Sequence, residues 1–169
     1  LLNGLCTVIA CDDVVNNVDR VAEAIVKNNI DIIIVTPTRL SYYLSTSAIS
    51  RAASKVNIIH TAGETLTPEL LNKIRALTNA EVYNGYGPTE TTVGCSFSLA
   101  DNEKGIAIGK PIANTRIYIF DSKRSPLPIG VAGELCISGD GVGKGYLNRP
   151  DLTNEKFIPD PFIDGKTMY

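Results

Sequence analysis

The stretch DIIIVTPTRLSYYL, residues 31–44, decides the fold class. Its first part, DIIIVT at residues 31–36, is rich in β-branched residues and predicts a buried strand. Thr36 then stands as a helix N-cap, with Pro37 at the first helical position, so a helix is expected to begin at once. A strand that leads directly into a helix indicates βαβ units, and therefore a mostly parallel sheet flanked by helices.

The sequence on either side continues this alternation. Asn16 is the expected N-cap of an early helix, and Thr67 with Pro68 repeats the Thr-Pro helix start. Further strands are predicted at residues 5–10, 55–63 and 81–87, and further helices at 16–29 and 67–77.

The pattern changes after about residue 100. Short apolar stretches, GIAIGKPI, TRIYIFD and AGELCISG, are separated by turns rich in Gly and Pro, and only NRPDLTNEKF has a helical pattern. This predicts a small antiparallel, β-barrel-like subdomain. We therefore expect an α/β subdomain over residues 1–100 and a β-rich one over 101–169, with the boundary between 100 and 104.

Composition excludes several functional classes. The net charge is −2 with scattered basic residues, so the chain has no electrostatic footprint for nucleic acid. No apolar run is long enough to cross a membrane, and the N-terminus has no signal-peptide pattern. The four cysteines form no C-x-x-C motif, which argues against zinc and favours reduced thiols in a cytoplasmic protein.

Two loops that follow predicted strands carry the candidate site. In the first, AGE at residues 62–64, Gly63 permits close approach of a ligand to the backbone, but the triplet alone favours a plain turn with a solvated Glu64. Parallel sheets bind ligands at the carboxyl ends of their strands. Both loops are therefore expected at one edge of the sheet.

The second loop, NGYGPTE at residues 84–90, has the more specific composition. Gly85 and Gly87 allow close approach, Tyr86 offers a flat ring for stacking on a base, and Thr89 offers a hydroxyl to a phosphate. Glu90 supplies a carboxylate of the kind that binds Mg²⁺ together with substrate phosphates. Together these residues predict a binding site for a nucleoside triphosphate and its metal ion. The alternative is that the segment is an ordinary surface turn.

Two other features are interpreted structurally. GDGVGKGY, residues 139–146, has glycines at alternate positions that fit neither dinucleotide-binding nor phosphate-loop spacing, so bulges in a curved sheet are expected. His60 lies at the end of a predicted buried strand, where a pocket-wall residue is more common than a general base.

Three motifs together resemble a known family. YNGYGPTETTVG, IGKPIANTRIYIFD and GVAGELCISGDGVGKGYLNRPDLTNEKF occur in the order and spacing of the adenylation domains of nonribosomal peptide synthetases, members of the acyl-adenylate-forming superfamily. The resemblance covers nearly the whole chain. It implies formation of aminoacyl-AMP from ATP and an amino acid, followed by loading of the phosphopantetheine thiol of a carrier domain.

The resemblance also implies roles for particular residues. Tyr86 stacks on adenine, Thr89 touches the α-phosphate and Glu90 holds Mg²⁺, the last two being the catalytic candidates. The nucleotide-binding set is Gly63, Glu64, Asn84, Gly85, Tyr86, Gly87 and Thr89. The amino-acid pocket is lined by Ile34, His60, Ala62, Gly85, Val93 and Gly94.

Several family motifs have no counterpart in these residues. The upstream phosphate loop, the aspartate for the substrate amine, the ribose-binding motif and the lid with its lysine are missing. We therefore expect an internal fragment, inactive alone, that spans part of the second α/β subdomain and the start of the barrel. An acyl- or aryl-CoA ligase and a non-catalytic interaction module remain alternatives, and the amino acid is not identified.

Overall fold

A computed structural model describes residues 4–103 and 105–169. The chain forms two compact units. The first contains the residues up to Asn84 together with Leu99–Ala107, and the second contains Gly85–Ser98 and Ile108–Tyr169. The subdomain boundary expected between residues 100 and 104 stays a prediction about the complete protein.

The first unit alternates helices and strands, as the sequence predicts. β1 pairs in parallel with β2, with Ile32 opposite Ile58, and β3 follows β2 in the sheet. The elements are α1 (Asp12–Val15), α2 (Val18–Lys27), β1 (Ile32–Val35), α3 (Pro37–Tyr43), α4 (Ser47–Ala53), β2 (Ile58–Ala62), α5 (Pro68–Arg75) and β3 (Glu81–Tyr86), whose last two residues belong to the second unit.

Both Thr-Pro helix starts are confirmed. The Thr36 hydroxyl accepts a 3.4 Å hydrogen bond from the third residue of α3, and the Thr67 hydroxyl accepts one of 3.2 Å at the start of α5. The N-cap of α2, however, is Asn17, whose side chain accepts from two backbone N–H groups. Asn16 is not available for that role because it ends α1.

Four helices, α2 to α5, contribute buried apolar residues to one core that also contains residues of β2 and β3. Leu71 and Ile74 of α5 are fully buried, as the 3.6-residue spacing of its apolar residues predicts. The core of this unit consists of Val18, Ala22, Ile25, Leu40, Tyr43, Leu44, Ile49, Ala52, Val56, Ile59, Leu66, Leu70, Leu71, Ile74, Val82 and Ala100.

Two expectations for this unit are wrong, and one helix was not predicted. Residues 5–10 form no strand and are exposed, since apolar, β-prone sequence makes a strand only beside a pairing partner. β1 is not buried, and Ile34 is 74% exposed. The residues SAISRAA form α4, which the sequence pattern did not indicate because polar residues interrupt its short apolar face.

The second unit contains one antiparallel strand pair and a four-stranded antiparallel sheet. The end of β3 is followed by β4, which pairs with β5, and the larger sheet has the order β6-β7-β9-β8. The further elements are β4 (Ser96–Leu99, its last residue in the first unit), β5 (Lys110–Pro111), β6 (Thr115–Phe120), β7 (Glu134–Gly139), α6 (Pro150–Lys156), β8 (Ile158–Pro159) and β9 (Thr167–Met168).

The four-stranded sheet is open in the part of the chain that the structure describes. β6 and β8 form its two edges and do not pair with each other, so the expected barrel-like closure is not observed. Its small core contains Phe120, Cys136 and Met168. With the antiparallel β4–β5 pair, the chain is a mixed α/β protein with two sheets, less parallel than the sequence predicts.

Candidate functional site

The loop that follows β3 turns back sharply on itself. A Cβ atom at Gly87 would lie 2.4 Å from the backbone oxygen of Val93, so no other residue fits without movement of the backbone. The backbone N–H of Cys95 donates a 2.9 Å hydrogen bond to the oxygen of Tyr86, which closes the loop. Gly87 is thus explained by the return of the chain, whereas the sequence suggested that it admits a ligand.

The same loop contains strained backbone. A 3₁₀ turn over Thr89–Thr91 is followed by Thr92 and Val93, both with positive φ, at 60° and 69°. A β-branched residue in the left-handed region is an outlier that persists only where its surroundings impose it. Val93 nevertheless leaves its side chain 76% exposed. The loop therefore presents this predicted pocket residue to solvent at a cost in backbone energy.

Glu90 is oriented by hydrogen bonds. The Tyr146 hydroxyl donates a 2.5 Å hydrogen bond to Oε1 of Glu90. The pKa of Glu90 is lowered first by this bond, then by its own backbone N–H and by the Tyr169 side chain. The carboxylate is thus kept ionised and held in place on the loop. The same bond raises the pKa of Tyr146, whose phenol stays protonated as the donor.

Tyr169 connects Glu90 with the predicted stacking residue, Tyr86. The Tyr169 side chain contributes to lowering the pKa of Glu90, and its charge contributes to raising the pKa of Tyr86, after the larger effect of burial. Both residues therefore lie near one phenol. The Tyr86 ring remains 37% exposed, so part of its face is open for stacking.

In the first unit, Glu64 has a structural partner. Its Oε2 accepts a 2.8 Å hydrogen bond from the backbone N–H of Thr38, in the first turn of α3. Hydrogen bonds from Thr38 lower the pKa of Glu64. Gly63, beside it, adopts φ +86°, which favours glycine. Glu64 is exposed, as expected for a solvated carboxylate, and it also serves as a helix-capping group, which the sequence did not predict.

Glu64 also lines an open cleft of about 430 Å³. The cleft lies wholly in the first unit, at the first turn of α3. Its lining residues are Asn16, Thr36, Thr38, Arg39, Tyr42 and Glu64.

Three predicted pocket residues of the first unit share one face. Ile34 on β1 pairs directly with His60 on β2, and Ala62 lies two residues further along β2, on the same side of the sheet. His60 is half-buried, and burial lowers its pKa, so its imidazole is neutral near pH 7. The sequence pattern thus brings this part of the predicted pocket together.

Asn84 has an internal role. It is buried, and its Nδ2 donates a 2.9 Å hydrogen bond to the backbone oxygen of Ala107. Gly85, the next residue on β3, is buried as well.

The two remaining predicted residues lie on the loop after β3. Thr89 is exposed on this loop. Gly94 packs against Phe97, and a Cβ atom at Gly94 would lie 3.3 Å from the Phe97 ring.

The described residues contain no group of three or more His, Cys, Asp or Glu side chains that could hold a metal ion. A single carboxylate still fits Mg²⁺, because this ion is commonly bound through one or two carboxylates plus substrate phosphates and water.

The four cysteines are free, with Cys95 and Cys136 buried. Across residues 4–103 and 105–169, no helix has the length and apolarity to span a membrane.

Sequence reasoning missed the partners of both carboxylates. Tyr146 and Tyr169 lie more than fifty residues from Glu90, and Thr38 lies 26 residues before Glu64. The one available signal was GDGVGKGY, which ends in Tyr146. Its alternating glycines were interpreted as bulges in a curved sheet, and they gave no indication of the loop that they contact.

Comparison with known proteins places this chain in a family. The family of AMP-binding enzymes matches residues 1–147. Tyrocidine synthase 3 of Brevibacillus parabrevis is 39% identical over 172 residues, which cover all of this chain and 3% of that protein. Bacitracin synthase 3 of Bacillus licheniformis is 45% identical over 144 residues, covering 82% of this chain and 2% of that protein.

A solved structure of a nonribosomal peptide synthetase contains the same fold. The four-domain nonribosomal peptide synthetase holo-AB3403, bound to AMP and glycine, has a TM-score of 0.82 and 29% identity, and the match covers 95% of this chain and 12% of that one. The chain belongs to the AMP-binding enzyme family, and along its whole length it is similar to nonribosomal peptide synthetases. It spans only a few per cent of these curated relatives.

Proposed function

We propose that this chain is part of an adenylation domain that activates an amino acid with ATP. The observation that carries the proposal is the strained loop after β3, on which an ionised Glu90 is held by Tyr146. A fixed carboxylate beside a partly open Tyr86 ring is what binding of a nucleotide with its metal requires. Membership of the AMP-binding family supports the same assignment.

The nucleotide roles follow the geometry of the loop. Tyr86 stacks on adenine through its exposed face, and Thr89 donates its hydroxyl to the α-phosphate. Gly63, Gly85 and Gly87 provide backbone along the nucleoside. Glu64 and Asn84, which we include in the nucleotide set, act by fixing the backbone around these positions, since each has an internal hydrogen bond.

The residues assigned to amino-acid binding fall into two groups, one in each unit. In the first unit, Ile34, His60 and Ala62 share a single face of β1 and β2. In the second unit, Gly85 lies in β3, and Val93 and Gly94 lie on the loop after it. A neutral His60 suits contact with an uncharged or weakly polar substrate side chain.

Glu90 and Thr89 are the proposed catalytic residues. Bound Mg²⁺ would neutralise phosphate charge as the amino-acid carboxylate attacks the α-phosphorus and pyrophosphate leaves. The contribution of the protein is to orient the reacting groups and to present a carboxylate that stays ionised. A glutamate is already ionised near neutral pH, and the hydrogen bond from Tyr146 lowers the pKa of Glu90 further, so its carboxylate carries no proton that the metal would have to displace.

The second half-reaction requires a partner. The aminoacyl group would pass from AMP to the phosphopantetheine thiol of a carrier domain, as the similarity to multidomain synthetases supports. These residues alone are expected to be inactive. The reaction is assigned to the cytoplasm, where the four free thiols would stay reduced.

Amino-acid-dependent exchange of pyrophosphate into ATP tests the proposal in a complete adenylation domain that contains this chain. Glu90→Gln should lower the exchange rate by about 10²-fold or more, because the amide carries no charge for the metal. Exchange at the wild-type rate would overturn the assignment of Glu90. Transfer to coenzyme A and not to a carrier protein would identify an acyl- or aryl-CoA ligase, and absence of exchange with all amino acids tried would favour a non-catalytic module.

A further inference from the structure

The segment with alternating glycines packs on the loop that carries Glu90. The backbone N–H of Gly143 donates a 2.7 Å hydrogen bond to the backbone oxygen of Glu90, and the Thr92 hydroxyl donates one of 2.7 Å to the oxygen of Gly141. The side-chain bond from Tyr146 to Glu90 is the third connection. Residues 139–146 therefore hold the loop at Glu90 and again two residues further on, at Thr92.

Two of the glycines explain how the contact is possible. A Cβ atom at Gly141 would lie 3.0 Å from the backbone oxygen of Thr91, and one at Gly143 would lie 3.2 Å from that of Glu90. Both distances are tighter than ordinary van der Waals contact. At these two positions the glycines serve close approach between two backbone segments, and the bulges expected from the sequence do not account for them.

Tyr146 is itself fixed in position. Its backbone N–H donates a 2.9 Å hydrogen bond to the Thr153 hydroxyl, which in turn donates one of 2.9 Å to the backbone oxygen of Arg149 at the start of α6. Its ring meets the ring of Phe157 edge to face, with centroids 5.5 Å apart. The phenol is thus held at its backbone and at its ring, and its hydroxyl has little freedom to leave Glu90.

We propose that Tyr146 is a positioning residue that orients the Glu90 carboxylate for Mg²⁺ carried by the nucleotide. The inference rests on the proposed function, because it takes Glu90 as the metal ligand. A carboxylate on an exposed loop samples several rotamers, and a hydrogen bond from a fixed phenol selects one of them before the metal arrives. Partners of this kind around metal ligands typically change metal affinity or activity by about 10–100-fold.

The test is Tyr146→Phe in the complete adenylation domain. The matched control is Tyr83→Phe, which removes an equivalent phenol–carboxylate bond, 3.0 Å long, to Glu81 in the other unit. Two quantities are measured: the Mg²⁺ concentration for half-maximal exchange, and the calorimetric Kd of a non-hydrolysable ATP analogue with Mg²⁺ and with EDTA. We expect Tyr146→Phe to raise the Mg²⁺ requirement about tenfold and to weaken binding of the analogue only when Mg²⁺ is present.

The outcomes separate this inference from the proposed function. If Glu90→Gln loses the Mg²⁺-dependent part of binding while Tyr146→Phe matches the Tyr83→Phe control, the positioning role is overturned and the function stands. If Glu90→Gln itself leaves Mg²⁺ dependence unchanged, the metal assignment fails. If the Tyr146→Phe variant does not fold, two variants of Thr153 take its place. Thr153→Val removes the hydroxyl that holds Tyr146 and should raise the Mg²⁺ requirement, whereas Thr153→Ser keeps the hydroxyl and should preserve it. An equal Mg²⁺ requirement in the two variants would contradict the inference.

Discussion

The Glu64 carboxylate accepts a 2.8 Å hydrogen bond from the backbone N–H of Thr38, 26 residues earlier, and thereby caps the first turn of α3. An unpaired N–H group at a helix start needs such an acceptor. We expect Glu64→Ala to lower the melting temperature of the domain. Glu64→Gln should retain most of the stability, because its amide oxygen can still accept the bond. A melting temperature for the Ala variant equal to that of wild type would show that the cap is dispensable.

Stability is expected to fall in acid, and the sign follows from the pKa shifts. In the folded protein the pKa values of Glu64 and Glu69 lie below the ordinary value of 4.5, the first through Thr38 and the second through backbone N–H and the Thr67 hydroxyl. Their stabilising effect is therefore present above pH 4.5 and is lost as the pH falls through the lowered values. Denaturant unfolding between pH 6 and pH 3 measures this loss, and the double Gln variant should flatten the slope.

Gly87→Ala tests the closure of the loop after β3. The added methyl group would meet backbone atoms, the nearest 2.4 Å away, so the loop must move. We expect a loss of about 1–3 kcal/mol in unfolding free energy together with a large loss of exchange activity. Gly130→Ala is the control: it has φ +91° and open space, so it costs stability through backbone strain while activity is retained. Equal activity in both variants would show that the geometry of the loop is not needed.

Local chemistry explains the parts of the fold that the sequence predicted well. Thr36 and Thr67 cap helices that begin at proline, and these signals depend on three or four adjacent residues. The β-branched run before Thr36 similarly gave β1. Where the outcome depended on a neighbour in space, prediction failed: residues 5–10 have strand composition but form no strand.

In the candidate site, too, features that depend on adjacent residues were predictable and features that depend on distant residues were not. The Glu90 loop was recognisable because its ring, hydroxyl and carboxylate lie within five residues of each other in the sequence. The bond to Tyr146 joins residues 56 positions apart, and no periodicity encodes such a pairing. Gly87 illustrates a related limit, since glycine signals close approach without saying whether a ligand or the returning chain makes it.

Val93 supplies the last prediction, because it combines backbone strain with a proposed pocket role. Its φ of 69° is unfavourable for a β-branched residue, and its side chain is 76% exposed. Asn tolerates the left-handed region, so Val93→Asn should raise the unfolding free energy by about 1 kcal/mol. The same change at Val131, an exposed valine whose φ is not positive, should give no such gain in unfolding free energy.

If Val93 lines the amino-acid pocket, Val93→Asn will also change the selectivity of pyrophosphate exchange measured with a panel of amino acids. The Val131 variant will keep the wild-type selectivity. A stabilised protein with unchanged selectivity would assign the strain to the loop alone and remove Val93 from the pocket.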